Sequence, residues 1–179
     1  MFGGAGVGKS SLALRFTSHT FSTDPLPQDN ALLIKQTYTT YNINSTHYNI
    51  EIWDAVVQLE QLTFWVKDYV FKRADGMLLV YDVTRMESFV GLRDWVKVIE
   101  GFAKGALVVL VGNKCDLEKE RRVSTQEGEM FANQYNMLFF ETSAKDTTNV
   151  EELLFKMVQL MAELKPSKPN PPFTNTIYN

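Results

Sequence analysis

Apolar residues recur along this chain with two alternating periods, and the alternation predicts its architecture. Short apolar runs at Met77–Val83, Ala106–Val111 and Met137–Phe140 read as buried strands. Between them, Phe89–Phe102 and Ser124 to about Asn136 read as helices. Val150, Leu153, Leu154, Met157, Met161 and Leu164 share one face of a further helix, opened by Asn149 and Glu152. Thr84 with Glu87, and Ser124 with Glu127, have the spacing of capping boxes. Earlier in the chain Ser10–Ser18 reads as a helix, and Ala31–Tyr41 with Tyr48–Trp53 as a strand pair across the turn-like NINST. Leu62–Arg73 also reads as helical. Strands alternating with helices predict an α/β fold, a mostly parallel sheet covered on both faces.

Glycine and proline sharpen the boundaries. Four of the ten glycines fall within the first eight residues, and the next is Gly76. The six prolines lie at Pro25 and Pro27 or from Pro166 onward, so none interrupts the long middle. One domain over residues 1–165 is expected, followed by a disordered proline-rich tail over 166–179. At 179 residues and 45% hydrophobic, the chain can bury one sizeable core, which excludes disordered, collagenous and coiled-coil classes. A net charge of −3 gives no electrostatic case for nucleic acid. The apolar runs fall far short of the roughly 20 residues that span a bilayer. Cys115 stands alone and His19 and His47 lack ligand spacing, so neither a disulfide nor zinc is expected. With no secretory leader, a soluble cytoplasmic domain is the starting point.

The first ten residues carry the strongest chemical signal. Gly3-Gly4-Ala5-Gly6-Val7-Gly8-Lys9-Ser10 matches G-x-x-x-x-G-K-[ST] in full. Glycines let consecutive backbone N–H groups converge on phosphate oxygens without a clashing Cβ. The helix that follows points its positive end at the same anion. Lys9 adds a charge for the outer phosphates, Ser10 offers a hydroxyl to Mg²⁺, and Ser11 joins the candidate nucleotide contacts. A glycine-rich terminus followed by an ordinary helix is the bland alternative.

Two later strings separate guanine from adenine. Asn113-Lys114-Cys115-Asp116 follows one buried strand, and Glu141-Thr142-Ser143-Ala144-Lys145 follows another. Strand ends are where α/β sheets place their ligand crevice. A carboxylate such as Asp116 accepts two parallel hydrogen bonds from guanine N1–H and its exocyclic amine, a pair that adenine lacks.

On these motifs the chain resembles the small GTPases of the Ras superfamily over Gly3 to about Leu164. GKSSLALRF, VYDVTRMESF, VGNKCDL and LFFETSAK are most similar to the Rab branch. The resemblance implies a P-loop G domain that binds GTP or GDP with Mg²⁺ and works through effector or regulator proteins. It implies that Phe21 stacks on the guanine edge, Asn113 and Asp116 read the base, and Lys114 lies over the ring. Ser143, Ala144 and Lys145 form the adjoining loop, with the Ala144 N–H toward the guanine oxygen. Ser10 and Asp54 would hold Mg²⁺, Asp54 through water. Phe21 as plain core and Asp54 as a strand-end cap remain open alternatives.

Departures from the family pattern concentrate in the two switch segments. The Mg²⁺-binding threonine of the family falls at Gln28, or at Leu26 in another alignment, with Thr23 the nearest hydroxyl. The family's DTAGQE appears as Asp54-Ala55-Val56-Val57-Gln58-Leu59, so Val57 stands where the γ-phosphate glycine belongs. Gln58 is the candidate catalytic residue, with Gln61 as rival and a merely solvated side chain as the alternative. Ala5 holds a loop position that is glycine in many Ras proteins. No cysteine for prenylation occurs in the tail, and Lys165 and Lys168 are too few for a polybasic anchor, so no direct membrane anchor is expected. Only Met1 and Phe2 precede the loop, so the first strand is expected to be severely shortened, with Met1 an internal methionine of a longer reading frame. Three functions follow: a switch that hydrolyses GTP slowly, a pseudo-GTPase acting as a nucleotide-clamped binding module, or an ATP-using P-loop kinase. The NKCD string and the lack of an arginine-rich lid disfavour the kinase.

Overall fold

Two pieces of sheet carry the strands in this computed structural model, which describes residues 1–22, 34–55, 59, 63–64, 67–103 and 105–164. The first piece is parallel: β3 (Gly76–Asp82), β4 (Leu107–Asn113) and β5 (Leu138–Thr142), adjacent in that order. Side chains alternate across it, as the two-residue strand period requires. Met77, Leu79 and Tyr81 face α3 (Leu92–Phe102) and α4 (Thr125–Gln134), packing with Trp95, Ile99 and Phe131. Leu78 and Val80 face α1 (Lys9–Ser18) and α5 (Val150–Leu164), packing with Leu12, Phe16 and Leu153. Apolar residues on both faces explain why these strands read as continuous runs.

The second piece is an antiparallel hairpin of β1 (Ile34–Ile43) and β2 (Thr46–Ala55). Its turn is tighter than the NINST string suggests. Asn44 and Ser45 alone make it, at φ 49° and 64°, the left-handed pair that a two-residue hairpin needs.

Among the described residues, Met1 and Phe2 alone join the two pieces by backbone pairing. The Phe2 N–H donates to Leu78 O and the Val80 N–H donates to Phe2 O, both at 2.8 Å. On the other side the Met1 amine donates to Trp53 O at 2.6 Å, and the Ala55 N–H donates to Met1 O at 3.4 Å. Phe2 and Leu79 thereby form a single parallel bridge. Beyond it, a cavity of about 870 Å³ opens between the pieces, lined by Ile50, Ile52, Leu78, Leu154, Met157 and Met161 among others.

Several local expectations are corrected. Thr84 and Glu87 form no capping box, because the Thr84 N–H and hydroxyl both donate to Asp82 Oδ1, at 2.9 and 2.7 Å. The helix expected at Phe89–Phe102 is two helices, α2 (Met86–Val90) and α3, meeting at Gly91. Asn149 does open α5, its carbonyl accepting from the Leu153 N–H at 3.0 Å, but its side-chain amide donates to Glu141 O instead of capping the helix. Leu164 is 63% exposed, so the apolar face ends one turn earlier. Within the expected helix Leu62–Arg73, the described residues include a π-helical turn, Lys67–Phe71. The Ser124–Glu127 capping box forms in full. No helix among the described residues is long and apolar enough to cross a membrane.

Candidate nucleotide site

The loop Gly3–Gly8 threads between β3 and the end of β4, and its glycines are fixed by that passage. Gly3 sits at φ +139°, where a Cβ would lie 2.0 Å from Val80 O. Gly8 sits at φ +95°, where a Cβ would lie 2.2 Å from Asn113 Nδ2. Either side chain would force the loop away from its neighbours. Among the described residues, no backbone N–H from Gly4 to Ser10 donates to another backbone group. These donors, at the positive end of α1, form a ready anion cradle.

Lys9 is buried beneath this cradle and donates to Gly3 O at 3.1 Å and Gly4 O at 2.8 Å. An ammonium has three N–H groups, so one remains for a phosphate oxygen. Burial holds the Lys9 pKa below the usual lysine value; Asp54 opposes this, and the Arg85 charge reinforces it.

At the far edge of the cradle the Ser10 hydroxyl donates to Asp54 Oδ2. Asp54 is 2% exposed, and its Oδ1 has no hydrogen-bond partner among the described residues. A buried carboxylate oxygen left unpaired is costly, and a divalent cation would satisfy it. The hydroxyl and carboxylate are the hard oxygen donors Mg²⁺ prefers. Bound there, Mg²⁺ supplies positive charge against the phosphate oxygens.

On the opposite side the two strings expected to read the base are tied together. Asn113 is 1% exposed and donates from Nδ2 to Val7 O at 2.9 Å. Its Oδ1 accepts from the Thr142 hydroxyl and from the Ala144 N–H, each at 3.2 Å. Asp116 Oδ1 accepts from the Ser143 hydroxyl at 2.7 Å, which aims the carboxylate. Lys114 pairs with Asp82 at 2.7 Å, and Asp82 ends β3. Burial alone would raise the Asp82 pKa, but hydrogen bonds from Lys114 and Thr84 outweigh it and hold the carboxyl below its usual range.

A model of the Ras family matches residues 1–163 of the chain. The chain belongs to the Ras family. It is 40% identical over 166 residues to Ras-related protein RABC1 of Arabidopsis thaliana, covering 91% of this chain and 76% of that one. It is 38% identical over 160 residues to Ras-related protein Rab-12 of Mus musculus, covering 88% and 64%. Ras-related protein Rab-30 of Homo sapiens is 36% identical over 167 residues, covering 92% and 80%. Ras family proteins are GTPases that bind GTP or GDP with Mg²⁺.

Within this Ras family domain the expected site residues assemble at one end of the parallel sheet. Gly3, Ala5, Gly6, Val7, Gly8, Lys9, Ser10 and Ser11 form the loop and the start of α1, with Asp54 beside them. Asn113, Lys114 and Asp116 meet Ser143, Ala144 and Lys145. Phe21 reaches this end through Arg15, whose guanidinium lies 5.6 Å from its ring centroid and donates to Ala144 O at 2.7 Å and Lys145 O at 2.8 Å. Gln58, with Val57, Gln61, Gln28, Leu26 and Thr23, lies outside the described residues. Sequence reasoning missed Arg15, Asp82, Arg85 and Thr142. Asp82 and Thr142 close buried strands, a signal that could have found them; the two arginines carry none.

Proposed function

We propose that this chain is a Rab-like guanine-nucleotide switch of intracellular trafficking or signalling, with slow GTP hydrolysis. The observation that carries the reading is the Asp116 carboxylate, aimed by Ser143 and tied through the Asn113 network to the phosphate loop. Such a carboxylate rewards a base that donates twice and leaves itself unpaired against adenine. Slow hydrolysis is supported by Val57 and Gln28, which replace a glycine and a threonine of the family's switch segments. Partner proteins have an aromatic surface to meet: Tyr69 is 52% exposed and stacks on Trp53 at 5.7 Å. The reading places the protein in the cytoplasm, meeting internal membranes through partners. The same replacements favour a second reading, a pseudo-GTPase that holds nucleotide and recruits partners without cycling.

Calorimetric titration with GDP and ADP, each with and without Mg²⁺, tests the binding. Preference for GDP that strengthens with Mg²⁺ is expected, and Asp116→Asn should shift preference toward xanthosine diphosphate. Equal affinity for GDP and ADP would contradict the reading. Single-turnover hydrolysis then separates a slow switch from a pseudo-GTPase.

A further inference from the structure

Arg85 belongs to none of the motifs that read phosphate, metal or base, yet its guanidinium rests on the phosphate loop. Its main chain is pinned, because its carbonyl accepts from the Ser88 N–H at 3.1 Å and the Ser88 hydroxyl at 2.7 Å. From there Nη2 donates to Ala5 O at 2.6 Å, and Nε lies 3.4 Å from Asp82 Oδ2. Both Nη1 and Nη2 lie 3.8 Å from the point a Cβ on Gly6 would occupy. We propose that Arg85 contacts the nucleotide phosphates in cis, as a second side-chain cation beside Lys9. This proposal rests on the guanine-nucleotide reading above.

Donor arithmetic supports it. A guanidinium carries five N–H donors, and Nη1 makes no hydrogen bond among the described residues. The side chain is 44% exposed, so this edge is accessible. Asp82 orients Arg85 without neutralising the site, because the same carboxylate oxygen also pairs with Lys114. One carboxylate therefore serves two cations, leaving positive charge next to the backbone donors of the Gly4–Ser10 cradle. A planar fork suits phosphate oxygens, which it can grip with two parallel bonds. An arginine that only pinned the Ala5 carbonyl could be replaced by any neutral donor, and the two roles differ on that point.

Competition against fluorescent GDP, using GDP, a non-hydrolysable GTP analogue and GMP, distinguishes them in the wild type and in Arg85→Ala, Arg85→Gln and Arg85→Lys. Arg85→Gln keeps a neutral donor for Ala5 O, so it controls for loss of loop structure. We expect Arg85→Ala and Arg85→Gln to lose about tenfold in affinity for the di- and triphosphates, the size of one charge-assisted bond. GMP should change less than about twofold, and Arg85→Lys should recover part of the loss. Wild-type affinity in Arg85→Gln, or equal loss for all three ligands, would overturn the assignment of Arg85 alone. A wild-type protein that binds none of the three would overturn the guanine-nucleotide reading as well.

Discussion

On the β4–β5 side of the phosphate loop, Asn113, Asp116, Ser143 and Ala144 bind one another and the loop itself. On the β2 side, Asp54 reaches the loop on a hairpin joined to the main sheet through Met1 and Phe2, beside an open cavity. The half proposed to read the base is thus organised by its own intramolecular bonds. The half proposed to hold the metal has a carboxylate oxygen with no partner among the described residues and a strand beside an open cavity, so its geometry depends more on what binds. Ligand energy is expected to stabilise the second half more than the first.

The largest effect should come from seating the hairpin. Fusing about five apolar residues ahead of Met1 would place an extended segment between β2 and β3. We expect a gain on the order of 3–5 kcal/mol, after the ordering cost is subtracted from side-chain burial and new hydrogen bonds. Chemical denaturation of the two forms measures it; equal midpoints would mean that the hairpin needs no such support.

The Met1 amine probes the same junction by pH. Burial pushes its pKa down from 8.0 to about 5, so the folded state binds fewer protons than the unfolded state between those values. Stability should therefore fall as the pH drops from about 8 to 5 and level off below, by at most about 4 kcal/mol at 1.36 per pKa unit. N-terminal acetylation should flatten this part of the profile. A profile unchanged by acetylation would place the amine in water.

On the base-reading side, Asn113→Ala should cost about 2–4 kcal/mol, because it strands the Ala144 N–H and Val7 O. It should also weaken guanine nucleotide binding in proportion. A loss of binding with no change in stability would mean that Asn113 does not brace the loop. Asp54→Ala is the smallest in stability, about 1 kcal/mol, because losing the acceptor of the Ser10 hydroxyl is offset by removing an Oδ1 that has no partner among the described residues. Its signature is loss of the Mg²⁺ dependence of GDP binding; retained dependence would move the metal elsewhere.

Which parts were legible follows from how local their causes are. The phosphate loop and the NKCD string sit in contiguous residues whose chemistry is carried by type and spacing, so they could be read directly. The buried strands were legible because both faces are covered, which leaves unbroken apolar runs. Thr84 was misread because its capping partner was judged from spacing alone, while Asp82 two residues earlier takes both of its donors. Arg15 and Arg85 act across 129 and 80 residues of sequence, on Ala144 O and Ala5 O, and no spacing rule reaches that far. The division of the strands into two pieces was only half legible: a short first strand was expected, but the cavity beside it comes from how β2 and β3 face each other.

Hydrogen exchange resolved by segment, with and without GDP and Mg²⁺, tests the contrast between the two halves most directly. Slow exchange is expected in β3, β4 and β5 under both conditions. Faster exchange is expected in β1 and β2 without ligand, slowing when GDP and Mg²⁺ are added together. Equal protection of the hairpin and the parallel sheet without ligand, or a ligand effect confined to β4 and β5, would contradict that contrast.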